Sequence, residues 1–139
     1  MKVKELMIKD VFVVTGDDTV FDAASIMIKY DVGLLVVVED TITKRPTGII
    51  SDRDIIVEVV MKNLNPTKTH VKDVMNKEII ATSSNEELSK AIDKMKKNKV
   101  KRLPVIDDGG NLTGIISYSD VVKKFAEFKK KLVEFAIDF

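Results

Sequence analysis

Two stretches of the chain match each other in residue type and spacing: Gly48-Ile49-Ile50-Ser51-Asp52-Arg53-Asp54 and Gly114-Ile115-Ile116-Ser117-Tyr118-Ser119-Asp120. Each reads as a short apolar strand running into a helix that starts at the serine. Serine at a helix start with an acid three residues on is a capping arrangement, here with Asp in place of the usual Glu or Gln. That is the simplest account of the turn. The same geometry also offers chemistry. Free backbone N–H groups and a hydroxyl at a strand end suit phosphate, and a fixed carboxylate beside them can accept two hydrogen bonds from a vicinal diol such as ribose. The combination fits a nucleotide.

Catalysis has much less to stand on. His70 is the one histidine and lies in a Pro66-containing linker, which leaves no partner for a His-based metal site or a Ser–His pair. A surface residue is the default reading for it. The absence of Cys excludes disulfides, a thiolate nucleophile and Cys-based zinc or iron–sulfur sites, and it suits a reducing compartment. No G-x-x-x-x-G-K-[ST] phosphate loop is present, and Asp52 and Asp54 share one helical turn rather than facing each other across a cleft. A non-enzyme is expected.

Hydrophobic residues make up 45% and charged residues 32% of the chain, enough apolar material for a core. Lys plus Arg (23) against Asp plus Glu (22) leaves +1, which removes the global charge argument for a nucleic-acid or membrane-surface binder. Met1-Lys2-Val3-Lys4-Glu5 leads into no apolar export segment, and no window approaches the ~18 apolar residues that span a bilayer. The expectation is a cytoplasmic protein without membrane contact. Lys94, Lys96, Lys97, Lys99, Lys101 and Arg102 form the densest basic stretch. Favourable cations at a helix C-terminus explain it best, and nucleic-acid contact is the weaker reading because no aromatics are interleaved for base stacking.

The matching turns belong to a longer duplication. A shift of 68 positions lays Val71, Lys72, Met75, Ala91, Met95, Val100, Leu103, Val105 and Asp108 on Val3, Lys4, Met7, Ala23, Met27, Val32, Leu35, Val37 and Asp40. After a loop two residues longer in the first copy, a shift of 66 lays Gly114 on Gly48. Two copies of about 60 residues are each too small for a good core and are expected to pack as one unit. The copies divide as 1–66 and 67–139. In each, a β-prone run (Val11–Thr15, Ile79–Thr82) precedes turn-formers able to cap a helix (Gly16-Asp17-Asp18, Ser83-Ser84-Asn85). A helix with Val20, Ala23, Met27 or Leu88, Ala91, Met95 on one face follows. The continuous apolar runs Leu34–Val38 and Leu103–Ile106 read as buried strands, Gly48–Ile50 and Gly114–Ile116 as third strands, and a helix closes each copy. The repeat is β-α-β-β-α, an α/β architecture. From Asp120 to Phe139 the spacing predicts an amphipathic helix of roughly five turns, longer than the repeat requires. Its tail either packs on its own domain or covers a second chain.

Two copies, the Val3-Lys4-Glu5-Leu6-Met7 and Val71-Lys72-Asp73-Val74-Met75 segments, the Ala-x-x-x-Met helix, the apolar second strand and the Gly-h-h-Ser-x-x-Asp turn together resemble a tandem pair of cystathionine-β-synthase-type (CBS) domains, the Bateman module, over residues 3 to about 125. The resemblance implies two pseudo-symmetric repeats packed sheet to sheet, with ligands such as AMP, ADP, ATP or S-adenosyl compounds in two clefts and a regulatory role toward another protein. One cleft would hold Ser117, Ser119 and Asp120 with Thr15, Asp18, Val32 and Gly33. The other would hold Ser51, Arg53 and Asp54 with Thr82, Val100 and Lys101, and Arg102 would reach phosphates. Gly33-Leu34 stands where the second copy has Lys101-Arg102, so the cations come from one repeat, three phosphates would be poorly neutralised, and AMP or ADP is favoured over ATP. A ligand-free scaffold is the alternative. The apolar positions Ala24, Met27, Ile28, Ile56, Val60, Ile92, Met95 and Val122 exceed what one thin core needs, which together with the resemblance predicts a homodimer.

Overall fold

The computed structural model describes residues 1–138; Phe139, the last member of the predicted apolar stripe, lies outside the described residues. A single 3-10 turn at Val3–Glu5 leads to β1 (Val13–Thr15), α1 (Val20–Tyr30), β2 (Leu34–Val38), β3 (Pro46–Ser51) and the short α2 (Asp52–Ile55), whose last turn widens to π geometry at Ile56–Val60. Then come α3 (Val71–Val74), α4 (Leu88–Asn98), β4 (Arg102–Ile106), β5 (Leu112–Ser117) and α5 (Tyr118–Ile137). The fold is mixed α/β with two sheets and a long C-terminal helix. Among the described residues no helix is long and apolar enough to cross a membrane.

The chain packs as two compact units, and their limits differ from those of the sequence copies. The first comprises Asp10–Ile79 with Ile106–Thr113, the second Met1–Lys9, Ile80–Val105 and the chain from Gly114 onward. In the first, β2 is central, parallel to β1 and antiparallel to β3. Both faces of β2 are covered, which is why Leu34–Val38 is an unbroken apolar run. Leu35 and Val37 join Val14, Ala23, Met27, Ile50 and Val71 on one side, while Val36 and Val38 meet Leu112 on the other. In the second unit Val3, Leu88, Ala91, Met95, Leu103, Val105, Ile116 and Val121 form the core.

Each unit therefore takes its first hydrophobic wall from the other copy's leading segment. The amides of Val71 and Lys72 donate to the carbonyls of Asp18 and Gly16 (2.9 and 3.0 Å), and those of Val3 and Lys4 donate to Glu86 and Ser84 (3.0 and 2.9 Å). Further on, Asn76 and Ile49 exchange two backbone bonds, as do Ile8 and Ile115. These segments cross so close to the third strands that a Cβ on Gly48 would lie 2.8 Å from the Asn76 carbonyl oxygen, and one on Gly114 2.9 Å from that of Ile8. Glycine is required at both positions for space.

Several local expectations need correction. Ile79–Thr82 is not a strand, for only Thr82 pairs, with Val105. Extending that parallel ladder toward Ile80 would need a donated bond from residue 104, and Pro104 has no N–H. The cap of α1 is Thr19 rather than Gly16-Asp17-Asp18. Its Oγ1 accepts from the Asp22 amide while Asp22 Oδ2 accepts from Thr19 N–H, both at 3.1 Å. Ser83-Ser84-Asn85 likewise does not cap α4, whose N-cap is Glu87 without a side-chain bond. Met27 and Met95 are buried in their own units and are not surplus apolar surface, whereas Ile28, Ile56, Val60 and Val122 are exposed. His70 is exposed and immediately precedes α3.

Candidate functional site

The two serine–aspartate turns form where the sequence places them. Ser51 ends β3 and caps α2: its Oγ accepts from the Asp54 amide (3.1 Å), and Asp54 Oδ2 accepts from Ser51 N–H (2.9 Å). Ser117 ends β5 and caps α5, its Oγ accepting from the Asp120 amide at 3.2 Å. There the hydroxyl also donates to Asp120 Oδ2 (2.7 Å) and lies 3.1 Å from Ser119 Oγ. Both aspartates are half-buried. Each bond engages Oδ2, which leaves Oδ1 without a partner among the described residues and able to accept from a diol.

A second pair of bonds ties each turn to the start of the second strand of its own copy. The Asp52 amide donates to the Gly33 carbonyl (3.0 Å), and the Tyr118 amide donates to the Lys101 carbonyl (2.7 Å). In the first unit this brings Gly33 against the Asp52 carboxylate, 3.1 Å from where a Cβ would sit. Val32 directly precedes Gly33, and its amide closes the end of α1 on Met27. Thr15 ends β1, and its amide is held by Asp18 Oδ2 at 2.8 Å, so Asp18 is a turn-fixing carboxylate in this structure. Arg53 is exposed on α2.

In the second unit, a cavity of about 430 Å³ opens beside the tie between Tyr118 and Lys101, lined by Ile92, Met95, Lys96, Lys99, Val100, Lys101 and Tyr118. Val100 and Lys101 were expected at a site, but Tyr118, Lys96 and Lys99 were not. The signal for Tyr118 was available: it stands between Ser117 and Ser119 in the best-matched element of the repeat. Arg102, Ser117, Ser119 and Asp120 do not line this cavity, and Thr82 is buried beside β4, its amide bonded to the Pro104 carbonyl at 3.0 Å. The floor is apolar and the charged rim entirely lysine. Neither these lysines nor Arg102 form an ion pair among the described residues. Such a cavity suits a flat or apolar body carrying anionic groups.

Comparison with known proteins places the chain. The family model of the CBS domain matches twice, over residues 3–60 and 71–127, so the chain belongs to the CBS domain family. It is 33% identical over 119 residues to the CBS domain-containing protein YhcV of Bacillus subtilis, a match covering 86% of this chain and 81% of that protein. It is 37% identical over 123 residues to inosine-5'-monophosphate dehydrogenase of Methanocaldococcus jannaschii, covering 88% of this chain and only 23% of that enzyme. Among solved structures, the CBS domain pair of protein MJ0100, in complex with 5'-methylthioadenosine and S-adenosyl-L-methionine, superposes with a TM-score of 0.78 at 25% identity, covering 90% of this chain and 99% of that one.

Proposed function

We propose that the chain is a non-catalytic regulatory module that binds an adenosyl ligand, with AMP or ADP preferred to ATP. The observation that carries this reading is the backbone tie from Tyr118 to Lys101, which holds a serine–aspartate turn next to a cavity with an apolar floor and a lysine rim. The floor and the Tyr118 ring suit a purine, the free Oδ1 of a capping aspartate suits ribose, and Lys101 with Arg102 suits phosphate. The residues assigned to ligand are Thr15, Asp18, Val32, Gly33, Ser51, Arg53 and Asp54 in the first unit, and Thr82, Val100, Lys101, Arg102, Ser117, Ser119 and Asp120 in the second. Support comes also from the MJ0100 domain pair, whose two ligands are both adenosyl compounds. S-adenosyl ligands therefore stand beside the nucleotides as candidates.

Calorimetry with AMP, ADP, ATP and S-adenosylmethionine tests binding and selectivity together. No heat with any of them at millimolar ligand would end the proposal. The capping bonds in both turns favour a second reading, a scaffold whose serine–aspartate pairs are only helix caps. Asp120→Ala separates the two. A cap alone costs roughly 0.5–2 kcal/mol of stability and leaves affinity unchanged, whereas loss of a ribose contact weakens binding by about tenfold or more. Asp54→Ala is expected to weaken it less, because the backbone tie at its turn runs to Gly33, whereas the tie beside Asp120 runs to Lys101.

We further propose a homodimer in the cytoplasm, with the exposed Ile28, Ile56 and Val60 covered by the second subunit. Light scattering at tens of micromolar is expected to give about twice the 15.6 kDa chain mass; a clean monomer would refute it.

A further inference from the structure

The long helix α5 carries more than an apolar stripe. Tyr118, Val121, Phe125, Phe128, Leu132 and Phe135 follow each other at alternating steps of three and four residues, the spacing that keeps one helix face in continuous contact with another helix. Val121 is spent in its own unit's core, but Phe125, Phe128 and Leu132 are 52%, 59% and 56% exposed. The positions that flank such a seam are Lys124 and Lys131 on one side and Val122, Lys129 and Ala136 on the other. Asp120, Glu127 and Glu134 fall on the opposite face, and Asp138, in the last turn, is the one acid at a flank. None of the five lysines of α5 forms an ion pair among the described residues.

The margins of the seam are basic, and this selects the occupant. A second α5 laid parallel would set Lys124 against Lys129 twice. Laid antiparallel with full overlap it would set Lys129 against Lys129 and Lys131 against Lys131, matched in number by the two symmetric Lys124–Asp138 pairs, so that the flanking charges give no net gain. A register that pairs Lys131 with Asp138 overlaps only residues 128–138, about three turns. No self-pairing register both spans the helix and gains from its flanking charges, while acidic margins on a partner would meet every flanking lysine. We propose that α5 is a docking helix for an amphipathic helix of another protein whose seam-flanking positions are acidic. This inference stands apart from the adenosyl reading, since no residue of the seam beyond Tyr118 lines the cavity.

The test uses the full chain and two synthetic helices of about three heptads, with Leu at both seam positions and either Glu or Lys at every flanking position. Fluorescence anisotropy is expected to show the Glu probe binding at least about tenfold tighter than the Lys probe, with the difference shrinking at about 0.5 M salt. The surface variant Lys124→Glu/Lys129→Glu/Lys131→Glu should reverse the preference, and Phe128→Asp should abolish binding of either probe with the circular dichroism spectrum unchanged. Equal binding of the two probes, or no reversal in the triple variant, overturns the proposal. So does binding of anionic phosphatidylglycerol vesicles without preference between the probes, which would make the face a lipid contact. A native dimer that Phe128→Asp turns into monomers would assign the seam to a second copy and overturn it equally. Nucleotide calorimetry on the same variants is expected to be unchanged, so either proposal can fail alone.

Discussion

The two units use the same backbone frame with different side chains at the points where ligand chemistry would be decided. Four sets of backbone bonds match one for one: the leading segment to the loop before α1 or α4, that segment again to the third strand, the end of α1 or α4, and the turn to the second strand. On that common frame the first unit places Gly33, Asp52 and Arg53 where the second places Lys101, Tyr118 and Ser119. A duplicated backbone thus fixes where groups stand, while divergence at a few exposed positions fixes their charge. The first turn is acidic beside a glycine, and the second is aromatic and hydroxylic beside a lysine.

Five substitutions test how far the match extends. The largest effect is expected at the crossing glycines. An alanine Cβ at 48 would meet Met75 Sδ at 2.7 Å and the Asn76 oxygen at 2.8 Å, while at 114 the closest atoms are the Ile8 oxygen at 2.9 Å and Met7 Sδ at 3.2 Å. Gly48→Ala should destabilise its unit by about 3 kcal/mol and Gly114→Ala by about 2 kcal/mol, read by native-state amide exchange, which reports each unit separately. A larger loss for Gly114→Ala would break the ranking.

Next come the caps. Ser117 both caps α5 and donates to Asp120, whereas Asp54 keeps the Ser51 amide when the Ser51 hydroxyl is lost. Ser117→Ala should therefore cost about 2 kcal/mol and Ser51→Ala about 1 kcal/mol. Urea midpoints that coincide would show the hydroxyl bond to Asp120 to be worth nothing.

The smallest effect concerns acid. Asp17, bonded to the Lys72 ammonium at 2.9 Å, has its carboxyl held below the usual range by that bond and by the ammonium charge. Glu87 is lowered in the same way by Lys2. A depressed carboxylate adds stability above its unfolded value, and that increment is lost as pH falls through the folded one, so both units should soften below about pH 4. Lys72→Met should lessen that dependence for the first unit alone, leaving the part due to Asp40, whose carboxyl is lowered by hydrogen bonds from Thr43. An unchanged acid limb in thermal melts between about pH 2 and 5 would mean that the exposed pair is fully screened.

What the sequence revealed and what it hid follow from the range of the interactions involved. Leu34–Val38 was legible because burial on both faces writes itself into five consecutive apolar residues. Ser51 and Ser117 were legible because a cap depends on neighbours three residues away. The missing strand at Ile79–Thr82 was hidden because the residue that limits it, Pro104, is more than twenty positions away. The exchange of leading segments was hidden for the same reason: Val3 and Val71 look like members of their own copies and are buried in the cores of the others. Tyr118 is held beside the cavity by its amide, a backbone contact that residue type does not disclose.

That exchange bears on how the chain is made. As the polypeptide leaves the ribosome, the first sixty-odd residues cannot close their own core, because Val71 and the hairpin residue Leu112 are still to come. The leading segment meanwhile must wait for Leu88, Leu103 and Ile116 before Val3 has anything to bury against. Neither copy is a folding intermediate in its own right. The first unit's main core cannot close before Val71 is made, nor the second's before Val121, and a break at the copy boundary would yield two fragments that each lack a wall the other carries.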